Sequence, residues 1–88
     1  MNVVINKRFE KDLLKVKDQA LRNKVLEVIE HIEAAKAISS IQNLKKLKGW
    51  KTYYRIRVGD YRLGLEITGS NAEFLRFGHR QQIYSEFP

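Results

Sequence analysis

The sequence predicts an α+β domain: an N-terminal strand, a helical hairpin, then a three-stranded antiparallel meander, all in one sheet with the helices on one face. Three observations point there. Apolar residues recur at helical spacing through the first half of the chain and at strand spacing through the second. Two short Gly-containing turns, Gly59-Asp60 and Gly69-Ser70-Asn71, divide the second half into three strand-length pieces. Runs of helices followed by runs of strands fit segregated layers better than alternating βαβ units.

Taken in order, Asn2 to Asn6 contains Val3, Val4 and Ile5, a short β-prone run. Asn6 can cap a helix over Lys7 to Lys17, where Phe9, Leu13 and Val16 share one face. Asp18 is the N-cap expected for a second helix. Its apolar stripe is Leu21, Val25, Val28, Ile29 and Ile32, opposite Lys24, Glu27 and Glu30. Ser39-Ser40 closes the helical region. Ile41 to Trp50 reads as loop or a short helical turn anchored by Leu44, Leu47 and Trp50. The strands are Thr52 to Val58, Tyr61 to Thr68, and Glu73 to Gly78, with Leu75 and Phe77 joining the core face.

The chain has 88 residues, which suits a single domain, 1–88, burying roughly 60–65% of its unfolded surface. It contains no cysteine, so neither a disulfide nor a thiolate metal site is available. No stretch approaches the ~20 apolar residues of a membrane span, and the apolar run after Met1, Val3 to Ile5, is too short for a signal core. A cytoplasmic protein without membrane partners is expected.

The formal net charge is +7. It is localised: between Leu44 and Arg62 there are seven basic residues against one acid, Asp60. Such a field favours nucleic acid, an anionic surface or an acidic protein. The ordinary reading of Lys45, Lys46, Lys48 and Lys51 is a solvated face. The arginines need more explanation. If Gly59-Asp60 is a two-residue hairpin turn, Val58, Ile56 and Tyr54 pair with Tyr61, Leu63 and Leu65 on one apolar face. On the reverse face, Arg57 then lies across from Arg62, and Arg55 across from Gly64. Like charges directly opposite on a sheet are destabilising. The cluster makes sense if an anion sits between the guanidiniums, whose forks match phosphate. Gly64 would leave a gap beside Arg55 for a ligand. The competing explanation is solvent-facing arginines whose stems cover apolar surface. Arg76 and Arg80 are expected to share the reverse face, with Tyr84 following.

The YRIRVGDYRLGLEI hairpin and the terminal GHRQQIY, within this element order, resemble the RelE/ParE superfamily of toxins from type II toxin–antitoxin systems. The resemblance spans essentially the whole chain. It implies, for the RelE branch, a ribosome-dependent mRNA endonuclease that acts in the ribosomal A site and inhibits translation. In that branch Arg55, Arg57, Arg62, Arg80 and Tyr84 match the functional positions. The spacer between Arg80 and Tyr84 is short, so the C-terminal helix of some relatives should be absent or a stub. The resemblance also implies a cognate acidic antitoxin, the ribosome and mRNA as partners, and operator DNA as a partner of the toxin–antitoxin complex. The ParE branch instead implies a DNA gyrase inhibitor, and a non-catalytic RNA-binding module is a third possibility.

The residues themselves suit metal-independent chemistry. With two histidines and scattered acids there is no metal-ligand pattern, and no cofactor is implied. Arginine stays protonated at working pH, so Arg55, Arg57, Arg62 and Arg80 suit charge stabilisation rather than proton abstraction. Proton transfer falls to Tyr84 or to His79, the latter on the Phe77 side of its strand. Tyr84 can alternatively stack on a base. Lys45, Lys46, Lys48 and Lys51 would grip RNA phosphates. His31, within the second helix, is expected to be structural or surface.

Overall fold

The computed structural model describes residues 1–88. Strand β1 (Asn2–Ile5) leads into helices α1 (Lys7–Leu14) and α2 (Gln19–Ala34). Strands β2 (Leu44–Lys46), β3 (Tyr53–Val58), β4 (Tyr61–Thr68) and β5 (Asn71–His79) follow, and helix α3 (Arg80–Glu86) ends the chain. One five-stranded sheet has the order β1-β5-β4-β3-β2, with β1 parallel to β5 and all other pairs antiparallel.

The caps are the expected ones. The Asn6 side chain accepts from Arg8 N at 2.9 Å, and Asp18 Oδ1 accepts from Ala20 N and Leu21 N at 2.9 and 3.2 Å. Helix α1 stops at Leu14, three residues before the expected end. Asp18 must be extended to cap α2 (φ −74°, ψ 109°), so the chain leaves helical geometry before it. Phe9 carries α1 onto β5, edge-on to Phe74 and Phe77 at 5.4 and 6.2 Å. Val25 and Ile32 are the fully buried members of the α2 stripe. They pack with Ile56, Val58, Leu63, Leu65, Ile67, Ala72, Phe74 and Phe77 in one core on one face of the sheet.

Both hairpins have two-residue loops, Gly59-Asp60 and Gly69-Ser70. Their glycines adopt φ +60° and +59° at the first central position, as a type II′ turn requires. The β3–β4 register is the expected one, Val58↔Tyr61, Arg57↔Arg62 and Arg55↔Gly64.

Four expectations are corrected. The segment after Ile41 holds a fifth strand, β2, which pairs Leu44, Lys45 and Lys46 with Ile56, Arg55 and Tyr54. Its anchors are only partial: Leu44 and Leu47 are half-buried, and Trp50 is exposed. In β5 the register shifts opposite Gly64 and Leu65, where Gly64 pairs with Arg76 and Leu65 with Phe74. Leu75 is the extra residue of this bulge. The core therefore takes Phe74 and Phe77, while Leu75 lines a surface cavity with Tyr53 and Phe87. The C-terminal helix is the expected stub, seven residues long, but the helices do not all lie on one face. α1 and α2 cover the core face, whereas α3 brings Tyr84 and Phe87 onto the reverse face, over Arg55 and Gly64. Finally, Gly64 leaves no gap. A Cβ there would lie 2.7 Å from the Phe87 ring, which fills that space. No helix is long and apolar enough to cross a membrane.

Candidate functional site

Strand alternation sets Arg55 and Arg57 of β3 and Arg62 of β4 on the face away from α1 and α2. Arg57 and Arg62 are direct cross-strand partners. Both turn toward the hairpin loop. Arg57 Nε donates to the Gly59 carbonyl at 3.4 Å, and Arg62 Nη1 donates to the Gly59 and Tyr61 carbonyls at 3.1 and 2.9 Å. These carbonyls hold two like charges side by side without neutralising either. Lys45 of β2 lies across from Arg55 on the other edge of β3.

Tyr84 completes the arrangement from above. Its ring centroid is 5.1 Å from Arg55 Cζ, a cation–π contact. Buried Ile83 and the Phe87 ring on Gly64 anchor α3, which leaves Tyr84 exposed beside the arginines. Asn43, Leu44, Lys45, Arg55, Arg57, Arg62 and Tyr84 line one cavity of about 420 Å³. It contains four cationic side chains and no carboxylate.

Arg76 shows the opposite arrangement. Its guanidinium meets Asp12 at 2.8 Å and Glu86 at 2.9 Å, and these are the molecule's two salt bridges. The hydrogen bond that Arg76 donates to Asp12 is the largest cause holding its pKa above the ordinary arginine value, with Glu86 adding to it against desolvation. Asp12 also accepts from Phe77 N at 2.9 Å. This carboxylate therefore ties α1 to β5, and Arg76 extends the tie to α3. The chain pairs carboxylates with the one arginine that serves packing and with none of those that line the cavity.

The remaining candidates are dispersed. Arg80 opens α3 and is exposed; its backbone N–H donates to the Asp60 carbonyl at 2.9 Å, placing it beside the Gly59-Asp60 turn. It lies four residues before Tyr84, one helical turn away, but does not line the cavity. His79 is directed elsewhere. Its Nδ1 accepts from Gln81 N at 3.3 Å as the N-cap of α3, and its ring meets Tyr61 edge-on at 5.6 Å. It lines a separate cavity with Arg8, Asp12 and Lys15. Among the lysines only Lys45 lines the basic cavity. Lys46 pairs with Tyr54 and so alternates to the other face, while Lys48 and Lys51 are exposed on the β2–β3 connection. His31 Nε2 accepts from Gln42 N at 3.4 Å, at a groove of about 460 Å³ between α2 and β3. That groove includes Glu27 and shares Arg57 with the basic cavity. Sequence reasoning missed Asn43, whose φ of +61° turns the chain into β2. The signal available was an Asn, a residue that tolerates left-handed backbone. It also missed Phe87, for which strand patterning offers no signal.

Comparison with known proteins agrees with this architecture. Residues 3–84 match the family described as the ParE toxin of the type II toxin–antitoxin system parDE. The chain is 39% identical over 88 residues, the full length of both proteins, to toxin RelE3 of Methanocaldococcus jannaschii. Among solved structures it is similar to a chain of the RelB–RelE antitoxin–toxin complex from Methanococcus jannaschii. There the identity is 38%, the coverage 97% and 99% of the two chains, and the TM-score 0.80. The archaeal RelE–RelB complex from Pyrococcus horikoshii OT3 follows at 25% identity, 92% and 96% coverage, and a TM-score of 0.74. The fold alone is shared with the isolated E. coli RelE toxin, at 21% identity, 97% and 92% coverage, and a TM-score of 0.67. The chain belongs to the RelE/ParE superfamily of toxins of type II toxin–antitoxin systems.

Proposed function

We propose that this toxin is a ribosome-dependent, metal-independent mRNA endonuclease that cuts the message in the ribosomal A site and so inhibits translation. The observation that carries this is the cavity itself, where Lys45, Arg55, Arg57 and Arg62 stand together with no carboxylate among them. That arrangement fits a phosphodiester.

In the proposed reaction the 2′-hydroxyl beside the scissile phosphate loses its proton and its oxygen bonds to phosphorus. The bond to the 5′-oxygen breaks, and that oxygen takes up a proton, leaving a cyclic phosphate. Negative charge grows on the phosphoryl oxygens on the way. Arg55, Arg57 and Arg62 are assigned to stabilise it, and fixed donors of this kind are worth about 10²–10³ in rate each. Arg80 is assigned the same role from the rim, beside the turn. Tyr84, exposed against Arg55, is the group assigned to proton transfer. His79 is occupied as a cap and is given no such role here. Lys45 is assigned to the scissile phosphate, while exposed Lys48 and Lys51, and Lys46 at the sheet edge, are assigned to flanking RNA phosphates and make binding strongly salt-dependent.

The cavity is open and lacks a dedicated base held in place by a third group. The ribosome is therefore assigned part of the positioning, and free RNA should be cut poorly. The activity is accordingly assigned to the cytoplasm. The partner proposed to neutralise it is a RelB-type acidic antitoxin, as the complexes of the relatives suggest. Operator DNA is a further partner of the resulting complex.

The match to the family described by the ParE toxin favours a second reading, inhibition of DNA gyrase. Brief expression followed by mapping of mRNA 5′ ends separates the two. Cuts at a fixed codon phase support the endonuclease. Intact messages with stalled replication support the gyrase reading.

A further inference from the structure

Three aromatic side chains on the reverse face do not belong to the core. Trp50, Tyr53 and Phe87 are neither in the buried cluster nor packed against it. They form a separate chain of rings, with Trp50 edge-on to Tyr53 at 5.3 Å and Tyr53 edge-on to Phe87 at 5.7 Å. Trp50 is 48% exposed. Burial does not explain so large an apolar side chain at the surface.

The cluster is continuous with the basic cavity. Tyr53 and Arg55 project from the same face of β3, two residues or roughly 7 Å apart. Phe87 lies on Gly64, the cross-strand partner of Arg55. Arg55 in turn carries the Tyr84 ring. One strip therefore runs from the three rings to the guanidiniums, with the Tyr84 ring beside Arg55 where the two meet. Exposed Lys48 and Lys51 flank Trp50 in the chain, so the aromatic end is itself basic. A surface that sets aromatic rings beside cationic side chains suits single-stranded nucleic acid, which offers a base to the rings and a phosphate to the guanidiniums.

We propose that Trp50, supported by Tyr53 and Phe87, is a base-stacking subsite that holds a nucleotide of single-stranded RNA adjoining the phosphate bound by Arg55, Arg57 and Arg62. This rests on the endonuclease reading for its choice of RNA, and it adds a grip on a neighbouring base.

Trp50 is the chain's one tryptophan, so its fluorescence reports on this site alone. The test titrates the purified protein with a six-nucleotide 2′-O-methyl RNA, which cannot be cut, and separately with inorganic phosphate and poly-glutamate. The expected result is quenching by the RNA and none by phosphate. Trp50→Ala should weaken RNA binding, followed through a labelled oligonucleotide, by about 5- to 100-fold. Trp50→Phe should recover most of the loss, and phosphate affinity should not change in either variant. Equal RNA affinity in wild type and Trp50→Ala, both folded by circular dichroism, overturns the proposal. Quenching by poly-glutamate but not by RNA also overturns it and identifies a surface for an acidic protein. Quenching by RNA without phased cuts in cells would sink the endonuclease reading and leave the subsite standing. Phased cuts without quenching would do the reverse.

Discussion

Arg57 and Arg62 face each other across the β3–β4 ladder with no carboxylate between them, and both donate to the Gly59 carbonyl. A sheet selected for stability alone would not keep this pair, because like charges directly opposite cost free energy. Arg57→Thr should therefore raise unfolding stability by about 0.2–1 kcal/mol while lowering toxicity. Urea denaturation and growth assays of the same variant check the two halves. A destabilised variant would mean that the arginine stem matters more for packing than its charge costs.

The same repulsion predicts that small anions stabilise the fold. A ligand present at ten times its dissociation constant adds about 1.4 kcal/mol. Inorganic phosphate should accordingly raise the melting temperature of wild type by several degrees. The increase should shrink in Arg57→Ala and Arg62→Ala at matched ionic strength. Equal shifts in all three proteins would point to a general salt effect.

Gly64 and Phe87 test how the reverse face is built. Gly64→Ala puts a methyl group 2.7 Å from the Phe87 ring, so the ring must move. The expected cost is about 1–3 kcal/mol, as for other overpacked sites. With Phe87 displaced, α3 loses an anchor and Tyr84 loses its fixed place on Arg55. A crystal structure of the variant with an unmoved Phe87 would contradict this.

The Arg76 network should show a graded response. Asp12 is largely buried and accepts from both Arg76 Nε and Phe77 N, so Asp12→Ala leaves two donors without a partner. A loss of about 1–3 kcal/mol is expected. Glu86 is half exposed, and Glu86→Gln should cost less than about 1 kcal/mol. Chemical denaturation of the two variants gives the ordering, and a larger loss for Glu86→Gln would reverse the account of what ties α1, β5 and α3 together.

Much of this architecture is legible in the residues. The hairpin register follows from a two-residue turn and strict alternation, and it alone puts Arg55, Arg57 and Arg62 on one face. The caps at Asn6 and Asp18 are local chemistry, and local chemistry can be read locally. What escapes is decided by distant contacts. β2 is a three-residue strand containing two lysines, and it exists because β3 offers a free edge. The bulge at Leu75 slips the alternation by one, which sends Leu75 to the surface and Phe74 to the core. The side on which α3 lies depends on Phe87 finding Gly64, and no periodicity records that. His79 has a suitable chemistry for proton transfer, but its ring nitrogen caps α3 away from the cavity.

The most direct measurement is cleavage of a defined message on purified ribosomes by wild type, Arg57→Ala and Arg62→Ala, each verified as folded by circular dichroism. Wild type should cut in the A site, and each substitution should slow the cut by about 10²–10³. Undiminished cleavage by both variants would contradict the claim that these facing arginines hold the reacting phosphate.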